Sequence, residues 1–139
     1  MRCACVLAAI SLVAAVVGCT DSPTQPAPAG SFAYTSYDTT GAAVVTGWFT
    51  LDVSDSGAVS GEWHFWGIGN PRDVGPQIGG GALVGGFAEG DLWLELNPQF
   101  RDHNLSLHGT LQDDRYAGEW VWSSFVGVTN HGTFEAFRR

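Results

Sequence analysis

The residues whose types could do chemistry are the histidines His64, His103, His108 and His131, with Asp73 or Asp102, and the glutamates Glu62, Glu95, Glu119 and Glu135. Imidazoles and carboxylates together can hold a divalent metal ion, and two glutamates can serve as acid and base on a glycosidic bond. The histidine spacing matches no ligand pattern, however, and each glutamate falls on the polar side of a predicted strand, where a solvated carboxylate is expected. No Gly-x-Ser-x-Gly elbow occurs. The glycines from Gly79 to Gly86 lack the Gly-Lys-Ser/Thr ending, the following helix and the positive charge of a phosphate loop. No catalytic residue, metal or cofactor is expected, and the chain reads as a non-enzyme.

One further reactive group is Cys19. Residues 1–19, MRCACVLAAISLVAAVVGC, place Arg2 before an apolar run from Val6 to Val17 and small Gly18 before the cysteine. An apolar run of about a dozen residues is too short to span a bilayer, which takes about 20. The stretch Val16-Val17-Gly18-Cys19 resembles the lipobox of bacterial lipoprotein precursors, with Val16 where that family more often has Leu. The resemblance implies a signal peptide over residues 1–18, transfer of a diacylglyceryl group to the Cys19 thiol, cleavage before Cys19 and acylation of the freed amine. Palmitate-type chains at Cys19 would then anchor the protein to a membrane of the bacterial cell envelope. Thr20 in place of Asp after Cys19 favours the outer membrane over the inner. Cys3 and Cys5 leave with the leader, so Cys19 is the only mature cysteine, and no disulfide or thiolate nucleophile is expected. Residues 19–30 form the lipidated cysteine and a proline-rich tether.

The formal net charge is −8, and there is no lysine. Such a surface repels phosphate backbones and anionic headgroups, which excludes nucleic acid as a partner. At 139 residues the chain holds one domain plus the leader and tether,.

What must position the polar residues is a sheet. From Ser31 onward the apolar residues alternate with period 2, and turn residues recur about every 8 to 15 positions. Eight strands are predicted near 31–38, 44–53, 58–67, 80–87, 91–96, 104–111, 116–123 and 131–138. Phe49, Leu51 and Val53 share one face against Trp48, Thr50 and Asp52. Val59, Trp63 and Phe65 oppose Ser60, Glu62 and His64, and Leu92, Leu94 and Leu96 oppose Trp93 and Glu95. Tight turns are read at Ser54-Asp55-Ser56-Gly57, Ala88-Glu89-Gly90-Asp91 and Gln112-Asp113-Asp114-Arg115. A short repeat links the halves: Val59-Ser60-Gly61-Glu62-Trp63 returns as Tyr116-Ala117-Gly118-Glu119-Trp120. An open eight-strand meander would leave two unpaired edges, so residues 31–139 are expected to close into one up-and-down antiparallel β-barrel. In architecture this resembles the small barrels of the avidin and lipocalin type, without their ligand-contacting residues.

Two functions fit that frame. In the first, the barrel of an envelope lipoprotein binds a small apolar or amphipathic ligand at one mouth, with Trp66 and Trp122 at the rim. Arg72 and Asp73 would help from the long connection Gly67–Gly79, which is either a lid or a plain surface loop. In the second, the core is filled and the domain recognises a protein or a glycan through exposed Trp48 and Trp93. A cavity rimmed by Trp66 and Trp122 would favour the first; a packed interior would favour the second.

Overall fold

The computed structural model describes residues 27–100 and 102–139,. The leader at 1–18, Cys19 and the tether as far as residue 26 lie outside the described residues. The chain forms eight strands: β1 (Gly30–Tyr37), β2 (Ala43–Val53), β3 (Ala58–Gly67), β4 (Gly79–Ala88), β5 (Asp91–Glu95), β6 (His103–Gln112), β7 (Arg115–Ser124) and β8 (Gly127–Arg138). Each pairs antiparallel with its neighbour in sequence, and β8 returns to β1 from Phe32↔Arg138 to Tyr37↔Thr133, closing the barrel. Strand β8 starts four residues before the position read from periodicity. The two residues Phe125 and Val126 suffice for the turn, so pairing continues to Ser124↔Gly127 through a bulge beside Trp122.

The alternation has the expected result. Phe32, Tyr34, Phe49, Trp63, Phe65, Leu83, Leu94, Leu105, Leu107, Tyr116, Trp120 and Phe134 are all buried. Their rings fill the interior: Tyr34 stacks on Phe65 with centroids 4.0 Å apart, Phe32 meets Tyr116 at 5.0 Å, and Trp63 meets Phe65 at 5.1 Å. Interiors packed in this way tolerate little added volume.

The two repeat segments play the same part in β3 and β7. A Cβ at Gly61 would run into the Thr50 carbonyl, and one at Gly118 into the His108 carbonyl, so only glycine lets the coiled strands approach there,. Two residues on, each indole N–H is buried and donates to a carbonyl of a strand end or loop: Trp63 Nε1 to Leu96 O at 2.8 Å, and Trp120 Nε1 to Tyr37 O at 2.9 Å. Between the tryptophan and the glycine, Glu62 and Glu119 point outward.

The two junctions of the short strand β5 are the thinnest, with five ladder pairs each. Strands β4 and β5 pair at only five positions, Val84↔Glu95 to Ala88↔Asp91, whereas β6 and β7 pair at ten. Residues Gly79 to Leu83 therefore have no strand partner on the β5 side, and the Trp63 indole and residues 96–100 cover the gap.

At the base, where the chain enters, Arg138 donates to the carbonyls of Ala27 and of Ala29, the latter at 2.7 Å, and lies 4.9 Å over the Phe32 ring. Tyr116 adds a bond to Pro28 O at 3.2 Å. The last tether residues are thus strapped to the barrel rather than only leading up to it. The base turns carry Asp55, Glu89, Asp113 and Asp114, and Glu89-Gly90 has the paired positive φ values, 54° and 93°, of a two-residue hairpin,.

Candidate functional site

The expected barrel mouth is closed. Residues 68–78, between β3 and β4, fold over it as a lid and insert Val74 and Gln77, both buried. Gln77 Oε1 accepts from Ser36 Oγ at 2.9 Å and Tyr34 Oη at 3.2 Å, while its Nε2 donates to Val74 O at 2.8 Å. Burial pushes the Tyr34 hydroxyl well above the ordinary tyrosine range, so it remains a donor. Asn97 Nδ2 donates to Pro76 O at 3.1 Å and Asn130 Nδ2 to Asp73 O at 2.7 Å, which ties the lid to the β5–β6 connection and to β8.

Of the pocket residues read from sequence, Trp122 lies in the interior phase of β7, under the lid. Gly75 sits against its ring so closely that a Cβ there would fall 2.5 Å from it, and the Gly75 φ of 64° also requires glycine. The Trp122 indole nitrogen is buried without a partner among the described residues. Trp66 is elsewhere: alternation holds to the end of β3, so it stays on the outer face with Glu62 and His64, 46% exposed, and rims no interior. Arg72 and Asp73 are exposed on the outside of the lid. The structure brings Trp122 and the lid together, but not Trp66, Arg72 or Asp73 into one pocket.

Concavities among the described residues open at the base beside the strapped tether residues and on the outer wall. On β5, β6 and β7 the register aligns Trp93↔His108 and His108↔Glu119 directly across the ladder. Asp91, Thr110 and Ala117 form the adjoining row, and together they line a groove of about 420 Å³. The Trp93 indole lies across the bare backbone of Gly86, where a Cβ would come 2.5 Å from its Nε1, and the ring is 47% exposed.

The neighbouring sector differs in one respect. There Tyr37 Oη donates to Glu135 Oε1 at 2.6 Å, and Arg115 Nη2 to Glu135 Oε2 at 3.1 Å. The Tyr37 bond holds the Glu135 carboxyl below its ordinary range, and the same bond raises the Tyr37 hydroxyl. In the groove, the side chains of Asp91, His108, Thr110 and Glu119 form no hydrogen bond or ion pair with another described residue. A ligand would find them unengaged.

Among the described residues no three His, Cys, Asp or Glu side chains gather to hold a metal ion. No known family model matches the chain, and no curated protein is significantly similar to it.

The sequence reading singled out Trp93, His108 and Glu119 one at a time and missed Asp91 and Thr110. Part of the constellation could have been counted. The turn at Asp113-Asp114 pairs Gln112 with Arg115, and counting back along both strands sets His108 opposite Glu119.

Proposed function

We propose that this chain is a lipid-anchored protein of the bacterial envelope whose filled barrel recognises a neutral glycan on its outer wall, in the groove of β5 to β7. One juxtaposition carries the reading: the half-exposed face of Trp93 beside the unengaged side chains of Asp91, His108, Thr110 and Glu119. An indole face is electron-rich and packs against the slightly positive C–H face of a sugar ring. Sugar hydroxyls both donate and accept, which suits carboxylates as acceptors and imidazole and threonine hydroxyl as either. With Asp91 and Glu119 in the groove and no cation among its described lining residues, an anionic glycan is disfavoured,. The interior, filled by rings and capped by Val74 and Gln77, supports recognition on the wall over an apolar ligand inside. The anchor rests on the Val16-Val17-Gly18-Cys19 pattern. It would hold the acidic base toward the membrane and leave the wall facing sideways.

The test is titration of the full chain, in a detergent without a sugar headgroup, with cello-, malto- and chito-hexaose. Binding of one of these is expected, weakened at least about tenfold, or about 1.4 kcal/mol, by Trp93→Ala. Glu119→Gln should weaken it less. Saturable binding of a naphthalene sulfonate that survives Trp93→Ala, with no sugar bound, would overturn the reading in favour of an interior ligand. Labelled palmitate should enter the wild type and not Cys19→Ser; equal labelling would remove the anchor.

A further inference from the structure

The wall of β2 to β4 carries a second set of the same chemistry. Trp48 faces His64 across the ladder, their rings stacked at 6.1 Å and 20°, and His64 meets Trp66 at 5.9 Å. The three rings form a strip on the outer face. Beside it runs a groove of about 550 Å³ lined by Trp48, Glu62, the edge of Trp63, His64 and the backbone from Gly80 to Ala82. Its floor along β4 is nearly bare backbone, and its Glu62 and His64 side chains bond to no other described residue. Across Gly80 to Ala82 the groove meets a smaller slot, of about 150 Å³, whose far side includes Gln99 and Phe100. Phe100 is 63% exposed. Among the described residues, no arginine lines either concavity.

We infer that this wall is a second glycan site, with the Trp48–His64–Trp66 strip as stacking surface and Glu62 and Gln99 as polar contacts, so that the barrel is bivalent. The inference rests on the glycan reading of the first groove. The occupant is again a neutral oligosaccharide, for the same reasons: aromatic faces, unengaged acceptors and no cation among the described lining residues. The groove runs across β2, β3 and β4 at about 4.8 Å per strand, so it suits an extended chain lying athwart the strands. The two sites centre on β3 and β6, three strands apart in a ring of eight, so they face different directions. Two separate glycan chains, or distant parts of one polymer, would be held at once.

Calorimetric stoichiometry tests this on the full chain with the same three hexasaccharides. Two sites per chain are expected for the sugar that binds, with Trp48→Ala plus Trp66→Ala removing one and Trp93→Ala removing the other. Exposed Trp66→Ala alone, which should leave the fold unchanged, is expected to weaken the second site at least about fivefold, or about 1 kcal/mol. It serves if the double variant does not fold, as judged by circular dichroism. A single site lost in Trp93→Ala and unmoved by Trp66→Ala overturns the second site and leaves the proposed function standing. A single site lost in the β2–β4 variants and kept in Trp93→Ala overturns bivalency and displaces the first groove. No binding of any of the three sugars overturns both readings.

Discussion

Strands β3 and β7 carry the same five-residue pattern and treat its two faces differently. Inward, the glycine, the tryptophan and its donated hydrogen bond coincide in both. Outward, β7 contributes Glu119 to a groove walled by Trp93, while β3 contributes Glu62, His64 and Trp66 to a ring strip shared with Trp48. The inner face is constrained by a packed barrel that leaves each indole one place to go. The outer face is constrained only by what it meets in solution, so like backbones support unlike surfaces.

The most disruptive way to sharpen this comparison is to delete the buried indoles. Trp120→Ala should cost about 3 to 5 kcal/mol, by loss of burial and the cavity left behind. Trp63→Ala should cost less, because Trp63 borders the thin β4–β5 junction and lines the outer groove, where neighbours can relax and water can enter. Chemical denaturation of both variants checks the order, and equal losses would mean that the two halves enclose their indoles alike.

Next come the glycines. Gly61→Ala and Gly118→Ala each drive a methyl into a cross-strand carbonyl and should each cost about 1 to 3 kcal/mol. A neutral result at either position would break the structural equivalence of the repeats.

A smaller effect separates the sectors by pH. The Tyr37–Glu135–Arg115 network belongs to the β7 side and has no counterpart around Glu62. Glu135 titrates lower in the folded chain than in the unfolded one. Its contribution to stability is therefore present above the unfolded carboxylate value and lost as pH falls through the folded value. Tyr37 titrates higher when folded, so its contribution is present below about pH 10 and lost as pH rises through the raised value. Thermal midpoints of wild type and Tyr37→Phe should differ by the equivalent of less than about 1 kcal/mol near neutrality, because the network is partly exposed. That difference should shrink as pH falls below the ordinary carboxylate range and through the lowered Glu135 value,, and a gap constant with pH would contradict the assignment.

Smallest of all, Trp66→Ala and Trp93→Ala should each change stability by no more than about 0.5 kcal/mol, since both rings are half-exposed. Larger losses in either would make that ring a packing element and weaken its claim to a ligand.

The barrel itself was legible because its signal is local. Alternation such as Phe49-Leu51-Val53 against Trp48-Thr50-Asp52 fixes a face residue by residue, and turn pairs such as Glu89-Gly90 fix where the chain reverses. The lid was not legible in the same way. Gln77 is buried because Tyr34 and Ser36, more than forty residues earlier, supply its partners, and no local pattern announces a glutamine as a plug. Trp66 sits near a strand end, where a mouth residue is expected, but the phase of its own strand puts it outside with Glu62 and His64. The Trp93–His108 alignment was hidden by the long β5–β6 connection, which sets no register by length alone, whereas His108–Glu119 followed from the Asp113-Asp114 turn.

The thin β4–β5 junction makes the barrel mechanically uneven. A closed cylinder under load opens along its least-stitched lines; the two that flank β5 have five ladder pairs each where the β6–β7 line has ten, and the β4–β5 line also leaves Gly79 to Leu83 without a strand partner. If both walls hold glycan while Cys19 holds lipid, pulling on the β2–β4 wall loads one lip of that line and pulling on the β5–β7 wall loads the other. Tension between the two would be shared between those ladder pairs and, where they stop, the Trp63 indole bonded to Leu96 O, which rivets the open part of the seam.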